Sequence, residues 1–338
     1  MKKPSSFMLF VFSLHVSLAY ADVIVSNLTN NVRVNSSFRL QARAPNCGAQ
    51  TTSAMGYSFD DSTQTTIIEA AVINALVTAP TLGTHILHVK CWGIYGAAGV
   101  TNITLSVTTG PAIPANATVV RNIQQLTTWK GNHDSGTNPG TSSGSSALVS
   151  APSLTGQARR FSMTYLNYGG QIFYTVFGID TWATHFVYDA QLYISGSSAG
   201  IGNIEMDLNQ VTADGRTIIF GFQCDGYSRT WDYTINAGSP TEYVDKWVHS
   251  TAPCPSPSTW SVNTWHRIQI VESRDGYGNV TYESVWLDGV EYPLKNAVGN
   301  SAFALGWGSV LLTNFQIDGL GPKGSSTTYL DNLTVYRW

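Results

Sequence analysis

The sequence predicts an all-β protein in which a small β-sandwich is followed by a larger two-sheet jelly roll. Short stretches that alternate between apolar and polar residues recur along the chain, and helical periodicity of any length is missing from residues 119–338. A break near residue 109 separates the two parts. The second part has roughly 220 residues and ten or more predicted strands, which suits a jelly roll.

The composition indicates a folded protein with a neutral polar surface. Charged residues make up only 12% of the chain, against about 25% in an average soluble protein, while hydrophobic residues make up 43%. Disordered chains are charge-rich and aromatic-poor, whereas this chain has 10 Trp and 16 Tyr. Because the formal charge is -3, no basic surface for phosphate binding is expected, and nucleic acid is excluded as a partner.

Residues 1–21 have the pattern of a secretory signal peptide. Lys2 and Lys3 precede an apolar run over residues 7–19, and Ala19 and Ala21 occupy the small-residue positions before a cleavage site. The run is too short to span a bilayer of about 30 Å, so membrane insertion is not expected. We therefore expect a secreted bacterial protein, extracellular or periplasmic. We also expect it to be a monomer.

Residues 22–108 are predicted to form the small sandwich, and residues 109–118 a linker. Pro111 and Pro114 in the linker fix the backbone and remove hydrogen-bond donors. The strands expected in the small sandwich, spaced at short intervals, are Val23–Val25, Phe38–Ala42, Met55–Phe59, Ile86–Cys91 and Ile103–Val107. The segment Leu82–Trp92 resembles the strand-F region of bacterial immunoglobulin-like domains, which carry a Gly-Thr-His turn before it.

Residues 119–338 are predicted to form the jelly roll, with a mobile, Gly- and Ser-rich loop over residues 131–146. Asp288-Gly289 is the strongest hairpin signal, because both positions of a type I′ turn need positive φ. The expected strands cover residues 161–166, 171–177, 185–194, 203–210, 217–224, 231–235, 265–272, 280–287, 290–294, 309–316 and 328–337.

Two segments of this part resemble the concanavalin A-like lectin and glucanase superfamily. They are Trp286–Val290, with the sequence Trp-Leu-Asp-Gly-Val, and the terminal stretch Tyr329–Tyr336. The resemblance implies a late hairpin and a final strand that returns to the first sheet. It also implies carbohydrate as the ligand class.

The four cysteines of an exported chain most simply form two disulfides. Local pairing joins Cys47 to Cys91 and Cys224 to Cys254, and it respects the division into two domains. No CxxC or CxxH spacing supports a zinc site.

The strand at residues 203–210 is the most informative about function. Strict alternation places Ile204, Met206 and Leu208 on one face, and the other face carries Glu205, Asp207 and Asn209. Side chains two apart on a strand are about 6.5 to 7 Å apart, so two carboxylates there can bracket one sugar bond or share a cation. The same alternation is also compatible with an ordinary solvated strand.

The Glu-x-Asp pair resembles the catalytic strand of family-16 glycoside hydrolases. That resemblance implies a nucleophile at Glu205 and an assisting carboxylate at Asp207. The acid/base position falls on Asn209 or, with a bulge, on Gln210, and neither amide can donate the proton that hydrolysis needs. We expect that the protein requires no cofactor. Legume-type lectins use a similar pair to hold divalent cations, so a structural calcium ion is an alternative.

Neighbouring segments supply further candidates for a sugar site. In the next predicted strand Gln223 shares a face with Gly221, which leaves space above the sheet. Other candidates on bordering strands or loops are Trp182, His185, Trp231 and Asp232.

The sequence therefore predicts a secreted polysaccharide-binding protein that uses the concave face of a jelly roll. The alternative is an enzyme on that face, either a glycoside hydrolase or a polysaccharide lyase. A lyase needs a base, an acid and a cation, and His185, Tyr188 and Arg229 supply these residue types. A third alternative is an adhesin without carbohydrate specificity.

Overall fold

A computed structural model describes residues 23–135 and 140–338, and its described residues divide into two compact units. Unit 1 consists of the described residues up to Asn31 together with Leu40–Ala75 and His85–Leu105. Unit 2 consists of Val32–Arg39, Leu76–Thr84 and Ser106–Trp338. The predicted signal peptide lies outside the described residues, and the predicted division into 22–108, 109–118 and 119–338 stays a prediction.

The described residues form strands almost throughout, which confirms the all-β fold class. Two short 3₁₀ turns, Ile123–Gln125 and Pro257–Thr259, are the only helical elements of the described chain. The strands in chain order are β1 Ile24–Val25, β2 Val32–Asn35, β3 Ser37–Arg43, β4 Asn46–Cys47, β5 Gln50–Phe59, β6 Thr66–Ile68, β7 Val72–Thr78, β8 Gly83–Gly93, β9 Ala98–Thr108, β10 Thr118–Val120, β11 Lys130–Asp134, β12 Thr141–Val149, β13 Ala158–Leu166, β14 Gly170–Gly178, β15 His185–Ile194, β16 Ile201–Val211, β17 Thr217–Phe220, β18 Phe222–Asp225, β19 Thr230–Asn236, β20 Asp245–Pro253, β21 Trp265–Arg274, β22 Asn279–Leu287, β23 Val290–Asn300, β24 Ala302–Phe303, β25 Leu311–Gly319 and β26 Lys323–Arg337.

Unit 1 is built around β5 and β8, which pair in antiparallel register with Met55 opposite Cys91. Met55, Leu87 and Val89 are fully buried, as the alternating pattern of these strands requires. The predicted Cys47–Cys91 disulfide is confirmed and closes 44 residues.

Unit 2 contains two sheets that pack face to face. The first sheet has the order β12-β13-β26-β15-β21-β22-β23, and the second has the order β11-β14-β25-β16-β18-β19-β20 with β17 and β24 attached beside β16. A single apolar cluster lies between the sheets, to which both contribute aromatic rings such as Phe161, Phe186, Phe222 and Phe315. The predicted two-sheet sandwich is thereby confirmed.

The predicted loop over residues 131–146 is wrong for its described part. Residues in this stretch form β11 and β12, and β12 pairs along its whole length with β13. Both strands lie at sheet edges, and most side chains of β12 are exposed or only half-buried. An edge strand with little apolar surface to bury lacks hydrophobic alternation, so its Ser and Gly residues resemble a loop.

The predicted hairpin at Asp288-Gly289 is confirmed between β22 and β23. The two residues have φ values of 50° and 79°, as a type I′ turn requires. The Asp288 carboxylate accepts hydrogen bonds from Arg39 Nε at 2.8 Å, the Arg267 amide at 2.9 Å and His266 Nδ1 at 2.7 Å. Burial acts to raise the pKa of Asp288, but the hydrogen bonds and charges of His266 and Arg39 lower it overall.

Candidate functional site

Strand β16 lies inside the second sheet of unit 2, between β25 on one side and β17 and β18 on the other. Ile204, Met206 and Leu208 are at most 1% exposed and belong to the core between the sheets. Glu205 and Asp207 point to the opposite face, as the alternation predicts. We call this face of the second sheet the polar face.

A row of polar side chains crosses five strands of the polar face at the level of Glu205. The pairing registers place Glu205 opposite Gln316 of β25 and Gln223 of β18, Gln223 opposite Asp232 of β19, and Asp232 opposite His249 of β20. Adjacent strands lie about 4.8 Å apart, so neighbouring members of this polar row can contact the same ligand. The sheet thus brings together residues separated by more than a hundred positions in the sequence.

Next to the polar row, Asp207 lies opposite Asn314 and Asn209 lies opposite Leu312. Strand β16 pairs with β25 without a break from Asn203 to Gln210, because its irregularity falls earlier, between Ile201 and Asn203. Asn209 is therefore the residue that shares a face with Glu205. Its Nδ2 is buried without a hydrogen-bond partner among the described residues.

Gln210 points away from the polar face and has a structural role. Its Nε2 donates to the carbonyl oxygens of Asp180 at 2.9 Å and Ala183 at 3.0 Å, and its Oε1 accepts from Arg274 Nε. Both amide ends are thus occupied within unit 2. Gln210 is not available to a ligand on the polar face.

Glu205 and Asp207 form a coupled carboxyl pair. Burial, the charge of Asp207 and a hydrogen bond to Asp207 raise the pKa of Glu205 well above its usual range. Burial also raises the pKa of Asp207 to about 6, although hydrogen bonds from Glu205, the Phe222 amide and Asn314 oppose that shift. The pair therefore resists ionisation of both carboxyls at once and retains a proton at higher pH than an isolated glutamate does.

At the other end of the polar row, His249 Nδ1 lies 2.6 Å from Asp232 Oδ2. The hydrogen bond to Asp232 raises the pKa of His249. Burial raises the pKa of Asp232, opposed by hydrogen bonds from Thr230 and His249. Among the described residues, Asp225, Asp232 and His249 form a group whose ligand atoms are close enough to hold a metal ion.

A cleft of about 480 Å³ adjoins this part of the polar face. Asn314 and Leu312, the partners of Asp207 and Asn209, form part of its wall, and Tyr174 and Trp307 supply aromatic surface. Trp307 is 43% exposed. Trp307 was not among the candidate residues predicted from the sequence, although its position between Gly306 and Gly308 marks an aromatic residue in a loop.

The prediction that Trp231 binds the ligand is wrong. It is fully buried and its ring stacks on Phe222, with centroids 5.4 Å apart. Successive residues on a strand point to opposite faces, so Trp231 and Asp232 cannot both face the ligand. Trp231 belongs to the core.

His185 and Trp182 are also separated from the polar row. His185 begins β15, in the first sheet, where its ring stacks on Trp338 with centroids 5.4 Å apart. Trp182 lies in the segment before β15 and is 79% exposed. The lyase residues are likewise dispersed, because Tyr188 is buried in the core and Arg229 lies in the turn before β19.

The predicted Cys224–Cys254 disulfide is confirmed and closes 30 residues. It joins the end of β18 to the segment after β20, across β19. The disulfide therefore ties together the strands that carry Gln223, Asp232 and His249. No helix of the described residues has the length and apolar character needed to cross a membrane.

Comparison with known proteins gives only structural likenesses. No protein-family model matches the chain, and no curated protein matches it significantly. A carbohydrate-binding module of the β-sandwich superfamily has a TM-score of 0.31 at 12% identity, with 92% of this chain and 96% of the module covered. The cellulose-induced protein Cip1 has a TM-score of 0.35 at 12% identity, covering 62% of this chain and 91% of that one.

A β-glucanase of Bacillus licheniformis has a TM-score of 0.30 at 9% identity, covering 65% of this chain and 97% of the enzyme. All of these TM-scores are low. The fold described above therefore rests on the strands and pairing registers of this chain.

Proposed function

We propose that this protein binds polysaccharide through the polar row and the adjoining cleft of unit 2. The observation that carries the proposal is the position of Gln223. It is only 4% exposed, it lies between Glu205 and Asp232 in the polar row, and its amide makes no hydrogen bond to the described residues. The two polar atoms of this amide are not among the fully buried, unpartnered atoms of the described residues, so a ligand or water can still reach and satisfy them.

The chemistry of the surrounding residues suits a sugar ligand. The amide and carboxyl oxygens of Gln316, Asn314 and Glu205 can accept hydrogen bonds from sugar hydroxyl groups. The Gln223 amide, which has no partner among the described residues, can also donate. The rings of Tyr174 and Trp307 supply apolar faces for the C–H side of a pyranose. A cleft of about 480 Å³ is also within the range of small-ligand sites.

The location proposed for this activity is outside the cytoplasm. Four cysteines form two disulfides, which persist in oxidising compartments. Export places the site where extracellular polysaccharide is found. A monomer bearing one such site is the simplest assembly.

The proposal is tested by binding titrations against a panel of neutral, acidic and amino-sugar polysaccharides. Trp307→Ala should weaken binding at least about tenfold, a loss of about 1.4 kcal/mol, because the cleft loses an aromatic wall. Trp182→Ala is the matched control, since Trp182 is more exposed than Trp307 but lies outside the cleft. Equal affinity of both variants, or no binding to any polysaccharide, would contradict the proposal.

A glycoside hydrolase is the second candidate function, favoured by the raised pKa of Glu205 and by the position of Asp232. Asp232 lies two strand spacings from Glu205, roughly 10 Å between backbones. Inverting hydrolases hold their two carboxyls about 6.5 to 9.5 Å apart. The side chains of Glu205 and Asp232 would satisfy that geometry if they are directed toward each other.

Glu205→Gln in the same panel separates the two candidates. A binding site loses at most about 1 to 2 kcal/mol of affinity and releases no sugar. A hydrolase keeps its affinity and loses several orders of magnitude in the release of reducing ends. We expect the first result, because the third polar residue on this face of β16 is Asn209, which cannot act as an acid in place of a third carboxyl.

A further inference from the structure

Asp225, Asp232 and His249 converge at the edge of the polar face. Their nearest ligand atoms all lie within 4.8 Å of one another. His249 Nδ1 is 2.6 Å from Asp232 Oδ2 and 4.0 Å from Asp225 Oδ2. The three residues come from β18, β19 and β20, so their convergence is a product of the sheet.

Hydrogen bonds orient both carboxylates toward the histidine. Asp225 Oδ1 accepts from the Tyr227 amide at 2.7 Å, and Asp232 Oδ1 accepts from Thr230 Oγ1 at 2.6 Å. Ser228 Oγ also donates to Asp232 Oδ2, at 3.2 Å. The Oδ2 atoms are thereby directed at His249. In metal sites, hydrogen bonds from residues that do not touch the metal orient the carboxylate ligands in the same way.

Gln223 provides an independent indication of a ligand at this place. It lies directly opposite Asp232 on the same face, is 4% exposed and makes no hydrogen bond to the described residues. Its carbonyl oxygen can serve as a further metal ligand. Because no described residue hydrogen-bonds this amide, it is available to a ligand.

We propose that Asp225, Asp232 and His249 bind a divalent transition-metal ion of the Zn²⁺ type. Zinc bonds of about 2.0 to 2.2 Å place tetrahedral ligand atoms about 3.4 Å apart, between the two distances from His249 Nδ1. Two carboxylates balance the charge of the ion. The imidazole favours zinc over calcium, whose ligands are oxygen atoms.

The exposure of the group leaves a route for the ion. Asp232 has no exposed side-chain surface, whereas the side chain of His249 is 65% exposed. The ion would enter from the His249 side and retain an open position toward solvent. Because it would hold the Asp232 carboxylate, a bound metal would exclude Asp232 from acid catalysis.

The test is calorimetric titration of the full protein with Zn²⁺ alone. We expect one Zn²⁺ per chain, a rise in melting temperature on binding, and at least a tenfold loss of affinity in His249→Ala. Asp232→Asn should show the same loss, and because Asp232 is buried, its circular dichroism spectrum must first match the wild type. His185→Ala is the matched control, since His185 is an exposed histidine of the other sheet.

Absence of Zn²⁺ binding by the wild type would overturn the proposal. Equal affinity in His249→Ala would do so as well, because the ion would then be bound elsewhere. A titration with Ca²⁺ whose affinity persists in His249→Ala and exceeds that for Zn²⁺ would assign the group to calcium and also contradict the proposal. None of these results depends on whether the protein binds polysaccharide.

Discussion

At the scale of single residues, unit 2 contains a buried carboxyl that the proposed functions do not use. Glu272 of β21 is 2% exposed, and its Oε2 has no hydrogen-bond partner among the described residues. Burial raises its pKa well above the usual range, and the charges of Asp207 and Glu283 add to this effect. Glu272 is therefore protonated in the folded protein at pH values where it ionises in the unfolded chain.

Glu272→Gln should raise the stability of unit 2 at alkaline pH. With a raised pKa, the folded state binds a proton that the unfolded state has released, so the wild type loses stability as the pH rises above about 4.5. Glutamine cannot ionise and keeps a similar shape. In urea titrations the two proteins should be similar at pH 4, while at pH 8 the variant should be more stable by more than about 1 kcal/mol.

The matched control for this titration is Glu69→Gln, which changes an exposed glutamate of unit 1. The same urea titrations of this variant at pH 4 and pH 8 give the baseline effect of removing an exposed carboxyl. A Glu272→Gln variant that is less stable than the wild type at pH 8 would show that the ionised carboxylate is favourable where it lies.

At the scale of elements, the hairpin between β22 and β23 depends on the absence of a side chain at Gly289. Its φ is 79°, and a Cβ at this position would lie 2.3 Å from the carbonyl oxygen of Ser37. The Gly289 carbonyl also accepts a hydrogen bond from the Asn35 amide at 2.7 Å. The turn therefore makes close backbone contacts, and only a hydrogen atom fits at the side-chain position of Gly289.

Gly289→Ala should destabilise unit 2 by about 2 kcal/mol or more. Positive φ alone costs an L-residue about 1 to 2 kcal/mol, and the contact with Ser37 adds to that cost. Gly276→Ala is the control, because a Cβ at Gly276, in the turn between β21 and β22, would meet no atom within 4 Å. Thermal unfolding curves that shift equally for both variants would contradict this account.

At the scale of the whole unit, Asp331 of the last strand, β26, connects that strand to residues 124–155 of unit 2. Its carboxylate accepts hydrogen bonds from Gln124 Nε2 at 3.0 Å, from Ser153 Oγ at 2.7 Å and from the Thr155 amide at 3.1 Å. Thr155 Oγ1 also donates to it. Burial acts to raise the pKa of Asp331, but the hydrogen bonds from Thr155 and Ser153 lower it overall.

Asp331→Asn should destabilise unit 2 at neutral pH and less so in acid. A lowered pKa means that the ionised carboxylate stabilises the fold above the unfolded pKa of about 3.9, and that this contribution is lost as the pH falls. Urea titrations at pH 7 and pH 3 measure the difference between variant and wild type. A difference that grows in acid would show that the charge of Asp331 does not contribute as described.

The sequence by itself determined the local features of this protein. Alternation in residues 203–210 correctly placed Glu205 and Asp207 opposite the core residues, because side-chain direction on a strand depends only on position parity. The Asp288-Gly289 turn and both disulfides were also predictable, because their signals lie in residue type and short-range spacing.

Only the tertiary structure decided which strands are neighbours and which faces are covered. Glu205 and Gln316 are more than a hundred residues apart and meet because β16 pairs with β25. Trp231 could be assigned to the core only once the packing of β19 was known. Alternation separates the two faces of a strand but does not identify the adjacent strand or the buried face, since both depend on pairing energies between distant segments.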